Sequence, residues 1–302
     1  MVSLEHVRAS EERFADLPDF PWSPSTVDDL PGTEGLRLAY LDEGPADAER
    51  VFLCLHGEPT WSFLYRKMIP SFLASGARVV APDFFGFGRS DKPVDDAVYT
   101  WGFHRRSLLE LVARLDLRGI TLVCQDWGGL LGLTLPLEGP DRYARLLVMN
   151  TTLATGEAPP TPGFLAWRSF MASQPDLDVG RLMQRAVPGL GAAEAAAYSA
   201  PFPDARAKAG VRRFPAIVPV DPSMEGAAIS REAARFWAER WSGQSFMAVG
   251  MQDPVLGPDV MAALRKTIRG CPPPLELPSA GHFVQEAGDV VAEAALASFA
   301  AG

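Results

Sequence analysis

The chain has 302 residues, a formal charge of −9 from 28 basic and 37 acidic side chains, and a 47% hydrophobic content. A chain of this length folds without metal or disulfide support. Its acidity, with no Lys/Arg cluster, argues against nucleic acid and an anionic membrane surface as partners. No run of eighteen apolar residues offers a membrane span. The first residues lack the apolar core of a secretory signal, and Cys54, Cys124 and Cys271 match no metal or redox spacing. The expectation is a cytoplasmic protein without cofactor or metal. A monomer is expected because no apolar patch can be assigned.

Residues 1–35 are rich in Pro, Asp and Trp, show little periodicity, and predict an irregular lead-in. Leu36 to Leu41 reads as a strand, and the short apolar run Val51 to Leu55 as a strand covered on both faces. A helical segment follows over Trp61 to Leu73, then a strand over Arg78 to Ala81 and a loop opened by Pro82-Asp83. Phe103, Leu108, Leu111, Val112 and Leu115 form a helical stripe. Ile120 to Cys124 is strand-like, Trp127 to Leu137 helical, and Arg145 to Met149 a further strand.

After Asn150 the strand signals stop. Residues 151–218 hold proline-rich loops and helical stretches, such as Asp178 to Ala186 and Ala192 to Ser199. The alternation then resumes: helix over Ile229 to Trp241, strand at Ser245 to Val249, helix over Val260 to Ile268, strand at Leu275 to Leu277, helix over Asp289 to Phe299. The pattern predicts an α/β fold with a mostly parallel sheet flanked by helices. Its core comprises residues 1–150 and 219–302, with residues 151–218 inserted as a helical cap.

Chemistry concentrates in four loops. In Cys124-Gln-Asp126-Trp-Gly128 the marked positions of a Gly-x-Ser-x-Gly nucleophile elbow are Cys, Asp and Gly, at a strand-to-helix junction. Asp126 thus stands where a nucleophile belongs, although alone the pattern fits an N-capping Asp equally well. His56-Gly-Glu58-Pro follows a strand and is placed to supply one backbone N–H of an oxyanion hole, through Glu58. The second comes from Trp127, the residue after the nucleophile. The competing reading is a Gly-Pro turn with a solvent-facing His56. Of the four histidines, His282 is the one late in the chain, where the order nucleophile, acid, histidine requires it. Asp253 follows a strand and is the natural carboxylate to orient that imidazole. The rival position after Met149 holds Asn150-Thr151, without a carboxylate.

Taken together, these segments resemble the haloalkane dehalogenases of the α/β-hydrolase superfamily, in the branch acting on small chlorinated and brominated alkanes. The resemblance rests on His56-Gly-Glu-Pro-Thr-Trp-Ser62, Asp83-Phe-Phe-Gly-Phe-Gly-Arg-Ser-Asp-Lys-Pro93, Gln125-Asp-Trp-Gly-Gly129 and Ala280-Gly-His-Phe283. It implies Asp126 as nucleophile, His282 as base and Asp253 as acid. It implies Trp127 and the cap residue Trp167 as halide donors, with Phe164 lining the pocket. The partners implied are a small halogenated alkane, water and halide.

The residue choices make chemical sense. An sp3 carbon bearing halogen offers no carbonyl to a serine, whereas a carboxylate is already ionised near neutral pH and attacks without a base. The resulting ester is hydrolysed by water that a histidine activates. Indole N–H groups donate and do not accept, which suits a leaving halide. The aromatic cap suggests a small pocket and short terminal haloalkanes. An epoxide hydrolase shares the Asp/His/Asp set and needs a proton donor, for which Tyr198 in the cap is the candidate.

Overall fold

The computed structural model of the chain describes residues 4–33 and 35–301. Its strands are β1 (His6–Val7), β2 (Ser25–Val27), β3 (Leu38–Glu43), β4 (Val51–Leu55), β5 (Arg78–Pro82), β6 (Lys92–Pro93), β7 (Ile120–Cys124), β8 (Tyr143–Met149), β9 (Gln244–Gly250) and β10 (Leu275–Leu277). Eight of them form one sheet in the order β10-β9-β8-β7-β4-β5-β3-β2. The run from β10 to β5 is parallel, while β3 and β2 join antiparallel at one edge. The central strands Val-Phe-Leu-Cys-Leu and Ile-Thr-Leu-Val-Cys are buried along their whole length, as strands covered on both faces must be. Cys54 and Cys124 lie within them as fully buried free thiols.

Helices α1 (Ile69–Ala74), α2 (Trp101–Arg114), α3 (Trp127–Gly132), α8 (Ala227–Arg235), α9 (Pro258–Thr267) and α10 (Gly288–Ala301) belong to the alternating pattern. Strand β4 lies between β5 and β7, so the chain recrosses it and the loops after β4 and β7 come side by side. Ligand crevices form at such a reversal, at the carboxyl ends of parallel strands.

Between β8 and β9 the described residues contain no strand. They hold α4 (Pro162–Ala172), α5 (Val179–Ala186), α6 (Ala192–Ser199) and α7 (Ala209–Ile217) before α8 returns to the sheet. No helix among the described residues is long and apolar enough to cross a membrane.

Several elements differ from the sequence reading. The lead-in is not wholly irregular: β1 pairs with β6 and β2 extends the sheet edge. β1 and β2 are strands of two and three residues with no apolar alternation to read. The segment Trp61 to Leu73 is not one helix. A 3-10 turn over Ser62–Tyr65 precedes α1, and Pro70 sits in the first turn of α1. Proline lacks the N–H that a first turn leaves unused, so it starts a helix more readily than it continues one. Helix α3 also stops at Gly132, and a separate 3-10 turn with proline follows at Leu135–Glu138.

A buried ionic cluster ties the inserted helices to the core. Arg66 donates to both carboxylate oxygens of Glu286, at 2.8 and 2.7 Å, with its own side chain fully buried. Tyr198 of α6 donates its hydroxyl to the same carboxylate and accepts from Arg66 at 3.2 Å. Burial would raise the Glu286 pKa, but Arg66, Tyr198 and Lys67 together hold it below the ordinary carboxylate value. Glu286→Ala strands Arg66 as an uncompensated buried charge and is expected to cost about 3–5 kcal/mol in denaturant unfolding. A loss under about 1 kcal/mol would mean the pair behaves as an exposed one. The sign with pH follows from the lowered value. The Glu286 contribution is complete above the unfolded carboxylate pKa of about 4.3 and fades as pH falls through the lower folded value.

Candidate active site

The turn from β7 into α3 places Asp126 at φ 51° and ψ −125°. This left-handed conformation is uncommon for a residue with a side chain. Close approach of the neighbouring elements permits it: a Cβ on Gly128 would lie 1.9 Å from the Leu55 carbonyl oxygen. The Asp126 side chain makes no capping bond to α3, which removes the simple N-cap reading. Instead its Oδ1 accepts from the Glu58 main-chain N–H at 2.8 Å, and its Oδ2 lies 3.5 Å from His282 Nε2. The Trp127 N–H belongs to the first turn of α3, where amides have no intrahelical carbonyl to meet.

His282 and Asp253 complete the group. His282 Nδ1 donates to Asp253 Oδ2 at 2.8 Å. Asp253 Oδ2 also accepts from Asn150 Nδ2 at 2.9 Å, and Oδ1 from the N–H groups of Val255 and Leu256 at 2.8 and 3.1 Å. Burial would raise the Asp253 pKa, but His282, Asn150 and the Val255 N–H outweigh it and bring it to about 2. For His282 burial lowers the pKa, while Asp253 and Asp126 raise it, and the balance lies well above the ordinary 6.5. Glu58 is buried beside Asp126; desolvation, then the Asp126 charge, pushes its carboxyl well above the usual range.

Three neighbours were not singled out from sequence. Asn150 donates to Gly250 O at 3.1 Å and accepts from Gly250 N at 2.8 Å, so it fixes the strand end from which Asp253 projects. Thr151 Oγ1 donates to the Asp126 carbonyl at 2.7 Å. Gln125, fully buried, donates to the His282 carbonyl at 3.1 Å, with the same nitrogen 2.9 Å from His282 Nε2. Their signal was positional. Gln125 and Asn150-Thr151 adjoin the ends of parallel strands that carry the chemistry. His56 also differs from the solvent-facing alternative: it is fully buried, accepts from Phe84 N at 2.9 Å and bonds Gly57 O at 2.9 Å.

Asp126, Trp127, His282, Glu58, Phe164 and Trp167 all line one cavity of about 680 Å³. Trp167 and Phe164 lie on α4, whose start is marked by Thr161 accepting from Phe164 N and by Pro162 in the first turn. That Thr-Pro pair before an apolar run was the available helix signal. Trp61, Trp237 and Trp241 each donate their indole N–H within the protein. Among the described residues the Trp127 and Trp167 indoles find no protein acceptor. Phe214 of α7 packs against the Trp127 ring at 4.5 Å.

The cavity is larger than the small pocket expected. Ala154, Gly156, Ala158, Ala186 and Ala263 are among its lining residues, and small side chains leave room. Tyr198 is absent from the lining, being fully buried against Glu286. No tyrosine lines the cavity among the described residues, so Tyr198 is not placed to donate to an epoxide oxygen there.

The chain is similar to known proteins over most of its length. The profile of the alpha/beta hydrolase fold matches residues 50–289. A haloalkane dehalogenase of Psychrobacter cryohalolentis is 43% identical over 288 residues, 94% of each chain. One of Mycobacterium marinum is 41% identical over 294 residues, 94% of this chain and 95% of its own. The solved structure of haloalkane dehalogenase DpaA from Paraglaciecola agarilytica superposes with a TM-score of 0.96 at 52% identity, covering 98% of this chain and 99% of that one. DpaA is described as tetrameric, which overturns the expectation of a monomer. An interface is assembled by tertiary structure from separate segments, so the periodicity of single segments does not reveal it.

The flanking carboxylates yield a titration test. In the resting protein, the His282 imidazole followed by NMR is expected to titrate above 6.5, and Asp126→Asn, which removes one flanking charge, to bring the midpoint down. A raised folded value stabilises the protein fully below the unfolded histidine pKa of about 6.5, and that contribution is lost as pH rises through the folded one. A midpoint that does not move in Asp126→Asn would contradict the arrangement.

Proposed function

The chain belongs to the haloalkane dehalogenase family, and on that premise we propose that Asp126, His282 and Asp253 carry its hydrolysis of carbon–halogen bonds. The observation that supports the assignment most is the asymmetry of the Asp126 carboxylate. One oxygen is held by the Glu58 N–H, and the other is left toward the cavity and His282.

The free oxygen attacks the halogen-bearing carbon from behind. A carbon–oxygen bond forms as the carbon–halogen bond breaks, and halide leaves with the bonding pair. The Trp127 and Trp167 indoles, without protein acceptors, donate to the departing halide. Water then attacks Cγ of the alkyl ester, giving up a proton to His282. Negative charge develops on Oδ1 and is met by the Glu58 and Trp127 N–H groups. The intermediate collapses, the alcohol leaves with the proton from His282, and Asp126, left holding the second water proton, ionises back to carboxylate, so one proton is released with each halide. Asp253 holds the imidazole tautomer and stabilises its protonated form.

Esterification has an electrostatic consequence. It neutralises Asp126 and thereby removes part of what raises the His282 pKa. The intermediate therefore favours the neutral base that its own hydrolysis requires, in which Nε2 presents a lone pair to water or to Gln125. Residues 151–218 are the proposed cap, with Trp167 and Phe164 among its contributions to the cavity. Short haloalkanes fit with room to spare.

His282→Gln retains the nucleophile and loses the base. It is expected to release about one halide per active site and to accumulate protein carrying the alkyl group on Asp126, seen by intact mass and peptide mapping. Steady turnover in that variant, or no adduct, would reject the assignment. Trp167→Phe is expected to slow halide release in a single turnover by about tenfold or more and to weaken chloride quenching of tryptophan fluorescence. Unchanged values in both would remove Trp167 from the halide site.

A further inference from the structure

The peptide unit joining Gly57 to Glu58 supplies the N–H that holds Asp126 Oδ1. Its other end, the Gly57 carbonyl, takes three donors. Thr60 donates its hydroxyl at 2.8 Å and its main-chain N–H at 3.0 Å. The third is His56 Nδ1 at 2.9 Å. His56 Nε2 accepts from Phe84 N at 2.9 Å, so the proton sits on Nδ1 and that nitrogen donates. His56 and Thr60 are fully buried, and neither lines the cavity. A carbonyl oxygen has two lone pairs, so three donors saturate it.

We propose that Thr60, with His56, is a positioning residue for the oxyanion donor: its hydroxyl fixes and polarises the Gly57–Glu58 peptide from the carbonyl side. Two physical effects follow. The peptide is planar, so gripping its oxygen fixes the direction of its N–H. Donors on the oxygen also draw electron density through the amide, which makes the N–H a stronger donor, as in any polarised hydrogen-bond chain. The path runs Phe84 N–H, His56, Gly57 C=O, Glu58 N–H, Asp126 Oδ1, and Thr60 joins it at the carbonyl.

The two chemical steps ask opposite things of this donor. During displacement Oδ1 loses negative charge as it becomes an ester carbonyl, so a strong donor favours the ground state slightly. During ester hydrolysis Oδ1 gains a full charge, so the same donor favours the transition state. Only interactions stronger in the transition state accelerate a step. Weakening the donor from its carbonyl side therefore slows hydrolysis and spares displacement.

This inference rests on the covalent mechanism proposed above, and its test separates the two. Thr60→Val keeps the shape and the main-chain bond but removes the hydroxyl. Rapid-quench kinetics are expected to show a halide burst at the wild-type rate or faster, with ester hydrolysis slowed about tenfold, less than loss of a whole oxyanion donor. Thr60→Ser is expected to restore it. In the His282→Gln background, the trapped ester carbonyl stretch is expected at higher frequency with Thr60→Val than with Thr60. Should the valine variant not fold, Thr60→Cys, a weaker donor, replaces it with the same expectation. Equal slowing of both steps, unchanged hydrolysis, or an unmoved carbonyl stretch would overturn the role of Thr60. Absence of a burst and adduct in the Thr60-containing proteins would instead overturn the mechanism beneath it.

Discussion

Asp126 sits in a backbone conformation that costs an L-residue about 1–3 kcal/mol, and its surroundings hold it there from several sides. Its own N–H donates to the Asn150 carbonyl at 2.9 Å, and its carbonyl accepts from Thr151 Oγ1 and from the N–H groups of Gly129 and Leu130. Gly57 lies so near that a Cβ would meet Asp126 Oδ1 at 2.5 Å. The conformation turns the side chain away from the helix it begins and toward the loop after β4. The strand order makes this possible, because β4 and β7 are neighbours and their ends open on the same crevice. Strain in the backbone is thus exchanged for an aimed carboxylate.

Near that carboxylate, the surroundings of three acids push two of them down and one up. Asp253 gathers four hydrogen-bond donors and stays charged far into acid. Glu58 has no partner for its Oε1, and burial and the Asp126 charge push its carboxyl the other way. Glu286, four residues beyond His282, spends its charge on Arg66 and Tyr198 and anchors the histidine loop and α6 together. The chemistry therefore depends on how each carboxyl is solvated by protein, and residue type alone does not determine it.

That distinction also explains what was legible in the sequence. The elbow, the loop at Glu58, the late His282 and the Asp253 loop were readable because strand-to-loop transitions of a parallel sheet place them at one end, whatever the side chains around them. The structure brings Asp126, Asp253, His282, Glu58, Trp127, Trp167 and Phe164 to one cavity. What escaped reading depends on tertiary contacts. The grip of Asn150 on Asp253 spans 103 residues, and the contact of Gln125 with His282 spans 157. Tyr198 read as a cap donor because its packing against Arg66 and Glu286 has no local signature. Cavity size depended on which small residues converge on its wall, and assembly on surface chemistry that periodicity does not record.

The central claim is that oxygen passes from water through the Asp126 carboxylate to the alcohol. One turnover in 18O-labelled water, with enzyme in excess over a haloalkane, tests it most directly. The account predicts unlabelled alcohol and one heavy oxygen in the peptide containing Asp126, because water attacks Cγ and the ester oxygen departs with the alkyl group. Label in the alcohol with none in Asp126 would mean that water attacks the carbon directly, and would contradict the account.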